Sequence, residues 1–190
     1  QTGLRDNTVV IYYTDHGDTF LYRAEGEHKF VCFDDAIRIP FVVSGPGVVA
    51  GAVRDEPIGL QDLVPTILDY AGVQAPAGLH GASLRPLLEG SSVPWRDDYY
   101  VQNITHVSAI AQRCIRTAHW KLIASVRGEH QLFDLQNDPE EELNIFLTPR
   151  PDAGFERYKH IPDQAPVIVQ LCARLQAHAE RIGDTLGLEL

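Results

Sequence analysis

The chain has 190 residues, 44% hydrophobic and 22% charged, with a net charge of −10 and a pI near 5.1. That is ordinary composition for a globular protein with a sizeable core, and the acidic balance argues against non-specific nucleic-acid or anionic-membrane binding, which needs clustered Lys and Arg. No window reaches 18 apolar residues, so no membrane span is expected, and three scattered Cys supply neither a disulfide framework nor a Cys-x-x-Cys zinc signal.

Val9 to Tyr13 is a short β-branched and aromatic run, read as a buried strand. It ends in Thr14-Asp15-His16-Gly17-Asp18. Asp and His at the carboxyl end of a strand are natural ligands for a divalent cation. The same residues also suit an ordinary turn in which Gly17 supplies a positive φ. Glu27-His28-Lys29 and Phe33-Asp34-Asp35 follow, then a second strand-like run from Ile37 to Val43, with Pro40 near its start and Ser44-Gly45-Pro46-Gly47 as its stop. Leu60, Leu63, Val64, Ile67 and Leu68 repeat at helical spacing; a helix start near Asp62 accommodates Pro65, and Gly72 ends it. Ser83 is expected to cap a short helix through Leu88, closed by Gly90.

The second half changes character. Tyr99 to Ile104, Ala109 to Ile115, Trp120 to Val126 and Gln131 to Leu135 predict an antiparallel meander. Asp138-Pro139-Glu140-Glu141-Glu142 reads as a helix start with solvated acids. Residues 148–165 read as loop. Ile168, Leu171, Cys172, Leu175, Ala179 and Ile182 form an apolar stripe on a helix over 166–182, stopped by Gly183 and expected to pack on one face of the meander. A buried thiol is expected at Cys172. Asn103-Ile104-Thr105 matches the glycosylation sequon, a pattern common by chance.

Taken in order, these segments resemble the type I sulfatases of the alkaline phosphatase superfamily. The shared features are the strand into Thr14-Asp15-His16-Gly17-Asp18, Lys29 nine residues before Arg38 of the Arg38-Ile39-Pro40 strand, and the Gly45-Pro46-Gly47 turn. The Asp62-Leu63-Val64-Pro65-Thr66-Ile67-Leu68 helix, Gly81-Ala82-Ser83-Leu84-Arg85-Pro86-Leu87-Leu88, Arg116 to Ile123 and Leu132 to Glu142 continue the series. The resemblance implies the C-terminal part of an α/β sulfatase catalytic domain over residues 1–96, carrying the metal-ligand strand and the lysine loop. A small antiparallel sheet with a packed C-terminal helix follows over 97–190.

For the site, the resemblance implies Asp15 and His16 as metal ligands. The metal is expected to be calcium, with manganese or zinc left open because imidazole suits transition metals better. It implies Lys29 as the catalytic group that contacts the sulfate and stabilises the departing oxygen, with His28 beside it as a pocket or structural residue. Asp18 is expected to orient His16 or cap the turn, and Arg38 to form a structural ion pair. His106 is assigned to a surface turn, and His80, His119, His130, His160 and His178 to structure or solvent. The family's nucleophile is a formylglycine formed far upstream of these segments from a Cys/Ser-x-Pro-x-Arg motif, and none of Cys32, Cys114 and Cys172 begins such a motif. The expectation is therefore a C-terminal portion, inert alone, that needs the N-terminal part of the same enzyme, acts on a small-molecule or carbohydrate sulfate ester, and leaves homo-oligomerisation open. A phosphonate monoester or phosphodiester hydrolase, and a non-catalytic half of another assembly, are the alternatives.

Overall fold

Residues 3–19, 29–104, 111–126, 130–147 and 164–184 are described by the structure, a computed structural model. The chain divides into two units, Gln1–His16 with Ile39–Asp97, and Gly17–Arg38 with Asp98–Leu190. The cut before Gly17 places the lysine segment with the second unit, whereas the sequence reading kept it with the first.

In the first unit, β1 (Val10–Tyr13) pairs antiparallel with β2 (Phe41–Ser44), with Val10 opposite Ser44 and Tyr13 opposite Phe41. β1 is not the buried strand its composition suggests: Val10 is 58% and Tyr12 65% exposed, because among the described residues it has a single neighbouring strand and no covering layer. The second strand is also shorter than the apolar run. It starts only after Pro40, which has no N–H for a ladder.

Downstream, a 3₁₀ turn (Leu60–Asp62) leads into α2 (Leu63–Tyr70), and α3 (Arg85–Leu88) follows. Ser83 does not cap α3 as a standard N-cap residue. Its Oγ accepts from the Arg85 N–H at 3.2 Å and donates to Asp69 Oδ2 at 2.6 Å. The tie within this unit is Asp62, which is fully buried. Its carboxylate accepts from the Gly59 N–H at 2.8 Å, the Ala82 N–H at 2.9 Å and the Arg96 guanidinium. One side chain thus joins three segments far apart in sequence.

The second unit is a meander, β3 (Asp98–Asn103), β4 (Gln112–Thr117), β5 (Trp120–Ser125) and β6 (Gln131–Asp134), with all pairs antiparallel. Side chains alternate between its two faces. One face carries Ile115, Leu122, Ala124 and Leu132, and packs against Leu171 and Leu175 of α4 (Ala165–Ile182). Gly183, at φ 68°, ends α4 in the left-handed conformation that stops a helix. The adjoining Asp184 accepts from the buried Arg113 and from the Tyr100 hydroxyl at 2.8 Å. Asp98 accepts from Arg174 at 2.9 Å and lies 2.8 Å from His178 Nε2. Cys172 is only partly buried, at the edge of the stripe.

The opposite face, Val101, Cys114, Ile123 and Phe133, is not solvated as in a two-layer sheet. Cys32, Phe33 and Ile37 cover it, just before and within the short helix α1 (Asp34–Ile37). The strand read from Ile37 thus begins as the end of a helical turn.

The segment from Asp138 differs most from expectation. Asp138 accepts from the Glu142 and Leu143 N–H groups, but no helix forms, and Glu141 sits at φ 57° and 2% exposed rather than solvated.

Asp62→Ala is expected to cost about 3 kcal/mol, because it removes the buried carboxylate that pairs with Arg96 and accepts two backbone N–H groups. Urea unfolding of the chain checks this, read as a lower midpoint at unchanged slope.

Candidate active-site residues

Asp15 and His16 follow directly after β1. Thr14 Oγ lies 3.2 Å from Asp15 Oδ1 and 3.0 Å from the His16 carbonyl, and the His16 N–H donates to Asp15 Oδ1 at 3.1 Å. These bonds turn the chain so that Asp15 Oδ2 and His16 Nε2 stand 3.5 Å apart, with side chains 80% and 39% exposed. Desolvation works against ionisation of Asp15, but backbone hydrogen bonds, the His16 ring and Thr14 together hold its carboxyl below the usual value. The result is an ionised carboxylate beside an imidazole, both facing solvent. This donor set fits part of a shell for a divalent cation, and the imidazole favours a metal that accepts nitrogen. Among the described residues, no group of three or more His, Cys, Asp or Glu comes together to complete it.

Gly17 is required for a reason other than a positive φ. Its N–H donates to the Ala36 carbonyl at 2.8 Å, and a Cβ there would lie 1.9 Å from the Asp35 carbonyl oxygen. The chain leaving His16 therefore runs hard against α1, and only Gly allows that approach. Asp18 is half-buried in the same turn, and Arg38 is exposed.

Lys29 opens the segment into α1. It is exposed, with Nζ 5.9 Å from the Phe30 ring centroid. His28, Thr105, His106 and His160 lie outside the described residues, as do residues 148–163. Asp15 and His16 belong to the first unit and Lys29 to the second.

The strongest electrostatic feature is one the sequence reading missed. Lys121 on β5 is fully buried. Its Nζ donates to Asp34 Oδ1 at 2.7 Å and Glu141 Oε1 at 2.5 Å. Arg116, directly across in the β4–β5 register, forks onto both Asp34 oxygens at 2.9 to 3.2 Å. Glu141 Oε2 in turn accepts the Asp34 N–H at 2.8 Å. Two cations thus meet two carboxylates. Burial opposes ionisation of Asp34, but the Arg116 hydrogen bonds and Lys121 outweigh it and hold the carboxyl at about 2. Glu141 goes the other way, pushed up by burial and by the Asp34 charge. The signal available in sequence was Lys121 two residues into an apolar strand, where a solvated Lys does not fit.

Burial pushes the Cys32 thiol up to about 12 and raises Cys114 and Cys172 as well, so all three stay protonated near neutral pH.

Asp34→Asn should lower stability by about 3 kcal/mol at pH 7, since it unbalances a buried charge set. The folded value of Asp34 lies below the unfolded one, so its stabilisation is present above about pH 4 and is lost as pH falls toward 2. The gap between Asp34→Asn and the native chain should therefore narrow by about 2 kcal/mol over that window. Denaturant unfolding at a series of pH values reads it.

Residues 26–160 match the family described as N-sulphoglucosamine sulphohydrolase, C-terminal. Human arylsulfatase K is 34% identical over 159 residues, covering 76% of this chain and 29% of that protein. An arylsulfatase of Clostridium perfringens is 34% identical over 152 residues, covering 75% of this chain and 30% of that protein. The chain thus spans about three tenths of the length of the curated relatives it matches. Among solved structures, BT4656 in complex with its substrate D-glucosamine-2-N,6-O-disulfate superposes with a TM-score of 0.78 at 27% identity, over 95% of this chain and 36% of that one. The phosphonate monoester hydrolase of Agrobacterium radiobacter superposes with a TM-score of 0.71 at 25% identity, over 94% of this chain and 36% of that one. With the family match extending from the lysine segment through the meander, this chain belongs to the sulfatases of the alkaline phosphatase superfamily, in the N-sulphoglucosamine sulphohydrolase C-terminal family.

Proposed function

We propose that this chain is the C-terminal portion of a sulfuric ester hydrolase acting on a carbohydrate sulfate ester. The observation that carries the reading is the family match over residues 26–160. The likeness to BT4656 with its sulfated glucosamine supports the substrate class. Asp15 and His16 hold a divalent cation, calcium by the family resemblance, and upstream carboxylates complete the shell. When bound, that cation supplies Lewis-acid stabilisation of the sulfate oxygens. The formylglycine nucleophile comes from the upstream part of the same enzyme. The Lys29 ammonium faces the bridging oxygen as the S–O bond breaks, and stabilises the charge that develops there while keeping its own proton. His28 precedes Lys29 in the sequence and, by the resemblance, is a pocket or structural residue. The chain alone is inert toward sulfate esters: its one Ser-x-Pro-x-Arg stretch, Ser92 to Arg96, follows the metal-ligand strand, whereas the family's motif precedes it, and Arg96 is paired with the buried Asp62.

The superposition on a phosphonate monoester hydrolase supports a second reading, hydrolysis of a phosphonate monoester with the same residues. The ratio of kcat/KM for 4-nitrophenyl sulfate to that for a phenylphosphonate monoester separates the two.

In the complete enzyme, Asp15→Asn should reduce bound metal, measured by elemental analysis, and lower turnover by orders of magnitude. Unchanged metal stoichiometry would remove Asp15 from the shell. Lys29→Ala should lower kcat and kcat/KM together by roughly 10²-fold to 10³-fold, and less for substrates with good leaving groups. A change in KM alone, equal for good and poor leaving groups, would make Lys29 a sulfate-binding residue.

A further inference from the structure

Residues 30 to 34, a bent segment that leads into α1, are held against the meander at alternate residues. The Phe30 carbonyl accepts from Asn103 Nδ2, the Cys32 N–H donates to Gln112 Oε1 at 3.0 Å, and the Asp34 N–H donates to Glu141 Oε2 at 2.8 Å. The partners on the sheet side are side chains. Asn103 and Gln112 are directly opposite in the β3–β4 register, so their amides form one cross-strand pair at the end of the sheet. Gln112 is 5% exposed, and the Cys32 N–H it accepts has no solvent to turn to. Leaving such a group unpaired costs enough to hold the segment in register. The residue immediately before this run is Lys29.

We propose that Asn103 and Gln112 are positioning residues for Lys29. By holding the backbone at residues 30 and 32 they fix where the lysine leaves the sheet, and so where its ammonium meets the departing oxygen. This rests on the role given to Lys29 above. It also commits the Asn103 amide nitrogen, the atom a glycan would take, to the Phe30 carbonyl.

A double-mutant cycle in the complete enzyme tests it. Gln112→Met removes the acceptor with little change in volume, and Asn103→Asp, nearer the rim, removes the donor at constant size. Each should lower kcat roughly 10-fold with KM little changed, as a small misplacement of a reacting group does. The loss should be larger for poor leaving groups, and largely absent in the Lys29→Ala background. Amide exchange at Cys32 gives a readout without activity, and should be faster in Gln112→Met. Equal fractional losses with Lys29 present and in the Lys29→Ala background would overturn the proposal. So would native kcat in both variants while Lys29→Ala is slow. If Lys29→Ala itself leaves kcat unchanged, the catalytic reading of Lys29 fails and takes this proposal with it. Faster exchange at Cys32 in Gln112→Met would then show that the tether is real but serves another purpose.

Discussion

The buried ammonium of Lys121 is the constraint on which the second unit depends. A charge inside a sheet is tolerated only when paired and fully hydrogen-bonded. Its carboxylate partners come from two remote places, Asp34 at the start of α1 and Glu141 after β6. Arg116 brings the cluster to charge balance. Glu141 adopts a left-handed backbone conformation that costs about 1–2 kcal/mol for an L-residue, and its contacts with Lys121 and the Asp34 N–H offset that cost. Hydrophobic burial makes the sheet stable, and the charge cluster decides which chain segments lie against it.

The consequence is a meander used on both faces. Alternation along β4 and β5 sends Ile115, Leu122 and Ala124 toward α4, and Cys114, Ile123, Arg116 and Lys121 toward residues 32–37. Each face has an apolar centre with polar ties at its margin. Asp184 and Asp98 hold α4, while Asn103, Gln112 and the charge cluster hold the lysine segment. Both faces being covered explains why β4 and β5 are buried along most of their length, unlike a sheet with one wet face.

The candidate groups are held in different ways. Asp15 and His16 are set by short-range bonds at the end of β1, and Gly17 then packs tightly against α1. Lys29 is set by long-range ties to its neighbours in the chain. In the role proposed for Asp15 and His16, the rest of the shell would come from elsewhere in the enzyme. A long flexible lysine stem gains precision when its backbone is anchored.

Much was legible in the sequence for reasons that are local. The strands of the meander follow from short β-like runs separated by turn-length gaps, and α4 from a stripe with Gly183 at its end. Asp15 and His16 stand out because strand, turn and ligand types coincide within ten residues. Other features could not be read, because each depends on what packs against what. Glu141 looks like one acid of a solvated run until Lys121 is found beneath it. β1 looks buried because its residues are apolar, although burial is a property of neighbours rather than composition. Gly17 looked like a turn glycine, and is needed instead because the Asp35 carbonyl lies where a Cβ would go. The grouping of residues 17–38 with a sheet some 80 positions later had no sequence signal, since the polar ties joining them connect residues separated by 73 to 107 positions. The sequence by itself determined the meander strands, α2, α4 and the family motifs, which arise from local patterning and spacing. Only the tertiary structure decided which charges are buried and which segment carries the lysine, because burial and pairing are set by residues distant in the chain.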